Sequence, residues 1–163
     1  MKTVAVKLVT FRLGSDVFAA DIFSVERVLR YVAPAAIPDS PAWIEGVIEH
    51  NKTVIPVVDL RRRVELPAAT ITPETRILVL NTSDGLVGTI VDAVMEVAGL
   101  PSTGMTPPPP LFRGLAAQFV RGIAKVGDKI VVVLDVDRVL SSEDRIVFQR
   151  ALEVKASETA LRA

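Results

Sequence analysis

Residues 46–59 have the sequence GVIEHNKTVIPVVD, and residues 122–135 have the sequence GIAKVGDKIVVVLD. Each stretch opens with a glycine and closes 13 positions later with an aspartate. Each also encloses a lysine followed by a run of aliphatic, mostly β-branched residues. Such runs, bounded by polar turn residues, predict strands that are joined by short turns. The repeated pattern indicates that one β unit occurs twice in the chain.

The segments before these two stretches also match each other. Residues 9–28 and 78–97 each contain a strand, a turn (Gly14-Ser15-Asp16 or Ser83-Asp84-Gly85) and a second strand. The offset is 69 positions for these segments and 76 for the stretches that follow them. We therefore predict a mainly β protein built from an internal duplication. Units this short suit small five-stranded barrels, and since neither is large enough to be stable alone, we expect a shared apolar core with a groove between the barrels.

One domain is expected over residues 1–163. The first subdomain is predicted to span about residues 10–72 and the second about residues 73–140. Ser141 and the acidic residues after it predict the start of a C-terminal helix, because a serine caps the free N–H groups and acidic side chains favour the positive helix end. Residues 141–155 are expected to pack on the first subdomain.

Composition excludes several classes of function. The chain has no cysteine and one histidine, which excludes disulfide scaffolds, thiol chemistry and His-based metal clusters. Its 19 basic and 19 acidic residues cancel, which argues against a general nucleic-acid binder. Lys7 interrupts the N-terminal segment where a signal peptide needs apolar residues, and no apolar run is long enough to span a bilayer. We expect a cytoplasmic protein without enzymatic activity and without a cofactor.

The ordered motifs resemble the CheW family, the coupling proteins of bacterial chemotaxis. The resemblance runs from about residue 6 to residue 150 and rests on Phe11-Arg12-Leu13-Gly14, Val25-Glu26-Arg27-Val28, residues 37–47 (IPDSPAWIEGV), 54–61 (VIPVVDLR), 88–94 (GTIVDAV), Gly122-Ile123-Ala124 and Leu134-Asp135-Val136. It implies two SH3-like five-stranded barrels on a common core. It also implies an adaptor without catalysis.

The resemblance further implies partners and contact residues. Family members bind the cytoplasmic tip of a chemoreceptor in the groove between the barrels, and the regulatory domain of the histidine kinase CheA through barrel ends. They thereby join membrane receptor arrays, and ring assembly with CheA or with further copies of the chain is also implied. The positions that match the receptor groove are Val25, Arg27, Val28, Gly46, Asn51 and Lys52. The positions that match the kinase contact are Leu13, Gly14 and Asp16.

Two departures from the family pattern fall within the implied groove. The family usually has Asn-Leu-Arg-Gly where this chain has Glu49-His50-Asn51-Lys52, so the usual arginine is Asn51, and Lys52 offers a charge one position later. Arg27 also stands where an acidic residue is common. Such exchanges alter partner choice more than fold. They leave open a CheW-like scaffold in a chemosensory pathway outside chemotaxis.

Two other classes of function compete with the adaptor. A small barrel that binds nucleic acid needs exposed aromatics for stacking, whereas the strongest aromatic cluster is predicted to be core: Phe11, Phe18 and Phe23. A hydrolase needs two carboxylates that converge in a pocket, and the candidates are Asp59, Asp92 and Asp135. The sequence further predicts that His50 is an exposed turn residue and that residues 61–63 (RRR) form a solvated strand end.

Overall fold

The computed structural model describes residues 5–38, 44–63, 70–83, 85–107 and 119–138. Within them lie eleven strands: β1 (Ala5–Leu13), β2 (Asp16–Asp21), β3 (Val25–Arg30), β4 (Ile44–His50), β5 (Thr53–Asp59), β6 (Arg76–Thr82), β7 (Gly85–Val91), β8 (Ala93–Pro101), β9 (Met105–Thr106), β10 (Val120–Val126) and β11 (Lys129–Leu134). A one-turn helix, α1 (Leu60–Arg63), follows β5, and 3₁₀ turns lie at Ile22–Ser24, Ser102–Gly104 and Val136–Arg138. The mainly β prediction is confirmed. The helix expected within residues 141–155 lies outside the described residues.

The strands form two sheets, each of which combines both halves of the sequence. Sheet I has the order β8-β1-β2-β11-β10-β9, and sheet II has the order β3-β6-β7-β5-β4. The hairpin that opens each sequence half therefore joins the sheet formed by the rest of the other half. The boundary near residue 72 was placed from the sequence repeat. The division of the chain into two subdomains at this position stays a prediction.

The two sheets repeat one pairing pattern. Gly46 pairs with Val57 between β4 and β5, and Gly122 pairs with Val133 between β10 and β11, each directly after an irregularity in register. The hairpins β1–β2 and β6–β7 have matching registers at the 69-residue offset. The contacts of β5 with β7 and of β11 with β2 are both parallel. The predicted duplication is thus confirmed by strand register, at the two offsets found in the sequence.

Each sheet also brings its two ends together. Sheet I begins with β8 and ends with β9, which are joined only by the turn Ser102–Gly104. Sheet II begins with β3, and Ala35, a few residues later, forms a bridge to Val47 on β4 with N···O distances of 2.8 and 2.9 Å. Closure of this kind covers strand edges and is typical of small barrels.

The described residues form three large core clusters, because strand side chains alternate between two faces, and a small one of Ile37 and Val47. The interior of sheet I contains Leu8, Ala19, Leu100, Ala124, Val131 and Val133. The interior of sheet II contains Ile48, Ile55, Val57, Ile77, Val79 and Ile90. The shared core joins the sheets and contains Val9, Phe11, Leu13, Phe18, Ala20, Leu60, Leu78, Leu80, Val91, Phe119, Leu134 and Val136. The predicted apolar seam is therefore present as this shared core. The middle residues of β1 and β6 are buried on both faces, since one face lies toward the interior of a sheet and the other toward the shared core.

Candidate functional site

The residues that match the receptor groove lie mainly at the two ends of sheet II. Val25, Arg27 and Val28 are on β3, the first strand of the sheet, whereas Asn51 and Lys52 form the turn after β4, the last strand. Arg27 Nη1 lies 2.7 Å from His50 Nε2. This contact brings Arg27 on β3 to the end of β4, where the turn begins. We call Val25, Arg27, Val28, His50, Asn51 and Lys52 the β3–turn surface.

The contact with Arg27 assigns a role to the single histidine. A guanidinium only donates hydrogen bonds, so His50 Nε2 is the acceptor in this contact. His50 is the last residue of β4 and only partly exposed. The prediction of a merely exposed turn residue missed this contact, because it joins positions 23 residues apart in the sequence.

The residues of β3 do not simply alternate between buried and exposed positions. The register shifts between Val25 and Arg27, and three consecutive residues, from Glu26 to Val28, are exposed. Val25 is partly buried and packs against the shared core. Val28 is 43% exposed, whereas the other apolar residues of β3, Val25 and Leu29, are partly buried. Val28 is therefore the apolar residue of β3 that is open to a partner.

Gly46, a residue of β4, has a structural role. It is buried, its φ is +143°, and a Cβ at this position would lie 2.1 Å from the carbonyl oxygen of Ala35. Glycine therefore allows the close approach that bridges Ala35 to Val47 and closes sheet II. Its place in a receptor groove stays a prediction.

The turn after β4 is strained at one residue. Asn51 has φ 50° and Lys52 has φ 64°, and His50 pairs with Thr53, so this is a two-residue hairpin turn with both central residues in the left-handed region. Asparagine tolerates this conformation, whereas a lysine side chain does not gain a compensating local hydrogen bond. The residue that the turn geometry favours at position 52 is glycine.

We expect Lys52→Gly to raise the free energy of unfolding by about 0.5–1 kcal/mol. The left-handed conformation costs a non-glycine residue about 1–2 kcal/mol, and glycine removes this cost. The larger conformational entropy that glycine loses on folding offsets part of the gain in stability. Urea unfolding measures the change. Asn51→Gly is the matched control and should give a smaller gain. A loss of stability in Lys52→Gly would contradict the strained turn.

The residues that match the kinase contact lie at the tip of the β1–β2 hairpin. Gly14 and Asp16 are exposed, and the Gly14 N–H donates to Asp92 Oδ2 at 2.6 Å, which ties the tip of sheet I to the end of β7. Leu13 is fully buried in the shared core. The side chain of Leu13 therefore lies inside the protein, and the surface at this tip is formed by Gly14 and Asp16.

Phe23 was predicted to be core and is instead 91% exposed. Phe11 and Phe18 are buried and stacked, with ring centroids 6.3 Å apart, as predicted. The alternation ends at the 3₁₀ turn Ile22–Ser24, where Ile22 packs against the shared core and Phe23 faces outward. Asp21 Oδ1 accepts the Phe23 N–H at 2.9 Å, and an aspartate in this local pattern is the sequence signal that indicates such a turn.

Two of the three candidate aspartates converge, but they do so on an arginine. The Arg61 guanidinium donates to both oxygens of Asp59, at 3.0 and 3.1 Å, and to Asp92 Oδ1 at 2.9 Å. All three side chains are buried. Arg61 is thus not part of a solvated strand end, and that prediction was wrong for this residue because the chain turns inward at α1. We call Asp59, Arg61 and Asp92 the buried ion cluster.

The buried ion cluster is a structural link between the sheets. Burial by itself would lower the pKa of Arg61, but the hydrogen bond to Asp59 and the charges of Asp59 and Asp92 outweigh it and raise the pKa, so the guanidinium stays charged. Asp92 also accepts the N–H of Gly14 from sheet I. The planar Arg61 guanidinium therefore fixes α1 to the ends of β5 and β7, and Asp92 connects the cluster to sheet I.

This geometry removes the main observations that favoured a hydrolase or a barrel that binds nucleic acid. Asp59 and Asp92 both accept hydrogen bonds from the buried Arg61, and Asp135 accepts the Asp137 N–H and lies 3.5 Å from Arg138 Nε. Of the three predicted core aromatics only Phe23 is exposed, which does not make a stacking platform for successive bases. Within the residues that the structure describes, no helix is long and apolar enough to cross a bilayer.

Comparisons with known proteins agree with this architecture. A family model for the CheW-like domain matches residues 7–144. The chemotaxis protein CheW of Treponema pallidum is 29% identical over 142 residues, which cover 85% of this chain and 84% of that protein. The chemotaxis protein CheW of Bacillus subtilis is 28% identical over 137 residues, with coverages of 84% and 88%.

A solved structure is similar over almost the same range. The scaffolding protein TtCheW from Thermoanaerobacter tengcongensis superposes with a TM-score of 0.80 at 31% sequence identity, and the match covers 88% of this chain and 92% of that protein. The duplicated sheets, the shared core and the family match over most of the sequence have one explanation. The chain belongs to the CheW-like domain family of chemotaxis proteins.

Proposed function

We propose that this protein is a non-catalytic adaptor that couples the cytoplasmic tips of chemoreceptors to the histidine kinase CheA. The observation that carries the proposal beyond family membership is the exposed Val28 beside Arg27 at the end of sheet II. The adaptor would act in the cytoplasm, at membrane receptor arrays to which its partners attach it.

The β3–turn surface has the composition that a helical partner requires. A receptor tip is a helical hairpin, and a helix docks through apolar anchors surrounded by a polar rim. Val28 supplies an exposed apolar side chain, and Arg27 and Lys52 supply positive charge near it. Phe23, two positions before Val25 in the chain, adds an exposed aromatic of the kind that dominates binding energy at interfaces.

The kinase contact is proposed for a different element. Gly14 and Asp16 lie on the β1–β2 hairpin of sheet I, whereas the β3–turn surface belongs to sheet II. One chain could therefore hold both partners at once, which coupling requires. The hydrogen bond from Gly14 to Asp92 supplies a physical connection between the hairpin tip and the second sheet.

The charge of the β3–turn surface favours an unusual receptor. Arg27 stands where the family commonly has an acidic residue, and its contact with His50 holds the charge at the surface. Electrostatic complementarity therefore favours a receptor tip that carries acidic side chains opposite Arg27 and Lys52. A scaffold role in a chemosensory pathway outside chemotaxis is the second candidate, since this exchange changes the choice of receptor and leaves the fold intact.

We expect Val28→Asp to weaken binding of a receptor-tip fragment by at least about tenfold, because a buried carboxylate would replace an apolar contact. Binding of the CheA regulatory domain should not change. Co-sedimentation and calorimetric titration with each partner alone measure both affinities. Val25→Asp is less suitable as a test, because Val25 packs against the shared core and its replacement would also destabilise the fold.

Val97→Asp is the matched control. Val97 lies on β8 at the 69-residue offset from Val28 and is 55% exposed, so the same substitution is made at the equivalent position of the other sheet. Val97→Asp should leave receptor binding intact. Equal losses in the two variants, or receptor binding that is unaffected by Val28→Asp, would contradict the proposed surface.

A further inference from the structure

A cavity at one end of sheet II is lined by residues other than those of the surfaces described so far. Its volume is about 350 Å³, at the lower end of the range for small-ligand sites. Arg30, Tyr31 and Arg76 line it, together with loop residues 71–73 and Thr75. The cavity therefore combines two guanidinium groups, a phenol and a short loop.

The two arginines are direct neighbours across the strands. Arg30 on β3 pairs in register with Arg76 on β6. Like charges that face each other across strands destabilise a sheet. Repulsion between Arg30 and Arg76 therefore lowers the stability of sheet II, and an anion bound between them would remove this repulsion. Within the described part of the chain, the Arg30 side chain has no ion pair or hydrogen bond. The loop carboxylate of Glu74 instead lies 3.7 Å from Arg12 Nη2.

The second arginine is held in place by the loop. Arg76 Nη1 donates to the carbonyl oxygens of Pro73 and Thr75, at 2.8 and 3.0 Å. The loop itself is fixed, because the Thr72 N–H donates to Oγ1 of the buried Thr75 at 2.9 Å. Arg76 is therefore ordered before any ligand binds, which lowers the entropy that binding would cost.

We propose that this cavity binds a phosphate-class oxyanion between Arg30 and Arg76. A phosphate group carries about two negative charges at neutral pH and so matches two arginines, whereas a carboxylate would match one. The planar guanidinium fits phosphate oxygens, and the Tyr31 hydroxyl is a further donor. Ile71 and Pro73 leave an apolar wall for the organic part of a small phosphomonoester.

The test is a titration of the full chain at constant ionic strength with three probes: inorganic phosphate, adenosine monophosphate and adenosine. NMR chemical shifts and calorimetry measure the binding. Phosphate and the monophosphate should bind in the range of about 1 mM, whereas adenosine should not bind. Tighter binding of the monophosphate than of phosphate would identify a phosphomonoester as the preferred ligand, and equal binding would identify free phosphate.

Arg30→Gln should weaken phosphate binding about tenfold while leaving the unfolding midpoint in phosphate-free buffer equal to or above that of the unchanged chain. Arg121→Gln is the matched control, since Arg121 is an exposed arginine on β10 of sheet I, 3.5 Å from Asp21. Equal phosphate affinity in Arg30→Gln and the unchanged chain would overturn the proposal, as would adenosine binding as tightly as its monophosphate. The test measures phosphate binding by the chain alone, so its failure would leave the adaptor proposal standing.

Discussion

Gly46→Ala is expected to lower the free energy of unfolding by about 3 kcal/mol, because the substitution combines backbone strain with the loss of the two hydrogen bonds that close sheet II. A φ of +143° is unfavourable for alanine, and the new Cβ would lie 2.1 Å from the Ala35 carbonyl oxygen. The neighbour is backbone, so it moves only if the bridge between Ala35 and Val47 opens. Urea unfolding measures the loss, and hydrogen exchange at Ala35 and Val47 reports whether the bridge has opened.

Substitutions at two other glycines separate the cost of backbone strain from the cost of the close approach to Ala35. Gly85 has φ +117° but open space around its Cβ position, so Gly85→Ala should show the cost of backbone strain alone, about 1 kcal/mol. Gly99 has neither feature, and Gly99→Ala should be within about 0.5 kcal/mol of the unchanged chain. A loss in Gly46→Ala no larger than in Gly85→Ala would contradict the role of the close approach to Ala35.

Arg61→Met is expected to have a similar or larger effect, a loss of about 3–5 kcal/mol. Removal of one partner from a buried ion pair leaves the remaining charge uncompensated, and here Asp59 and Asp92 would both lose the Arg61 charge. Arg61→Lys should recover only part of the loss, because an ammonium group cannot bind two carboxylates with a planar fork. Denaturant unfolding at neutral pH measures both changes.

A second substitution tests the electrostatic origin of the Arg61→Met loss. In an Asp92→Asn background one of the two carboxylates that Arg61 binds is replaced by a neutral amide, so the Arg61→Met loss should be smaller than in the unchanged chain. Arg138→Met is the control, because Arg138 is exposed and lies 3.5 Å from Asp135; its loss should be below about 0.5 kcal/mol. An Arg61→Met loss of the same size in both backgrounds would indicate a packing effect instead.

The architecture could be predicted because the sequence repeats itself. Gly46 and Gly122 lie 76 positions apart, and they occupy the same point in the register of β4–β5 and β10–β11. The shared core could also be predicted, since neither repeated unit is large enough to be stable alone. The exchange of hairpins between the two sheets was not predicted, because side-chain alternation does not specify which strand a hairpin pairs with.

The candidate site was harder to predict, because exposure depends on local breaks in alternation. Phe23 follows the apolar pattern of β2, yet the 3₁₀ turn at Ile22–Ser24 turns it outward. Arg61 lies in a run of three arginines that suggested solvent, whereas its partners come from positions 59 and 92. Such contacts are set by tertiary structure, and no local pattern contains them.

The most direct measurement is the receptor dependence of CheA phosphorylation in a reconstituted mixture of kinase, receptor-tip fragments and this protein. We expect the phosphorylation rate to respond to the receptor only when the protein is present, and the response to be lost with Val28→Asp and retained with Val97→Asp. A rate that responds to the receptor equally well without the protein, or a protein that binds cognate forms of neither partner, would contradict the coupling function.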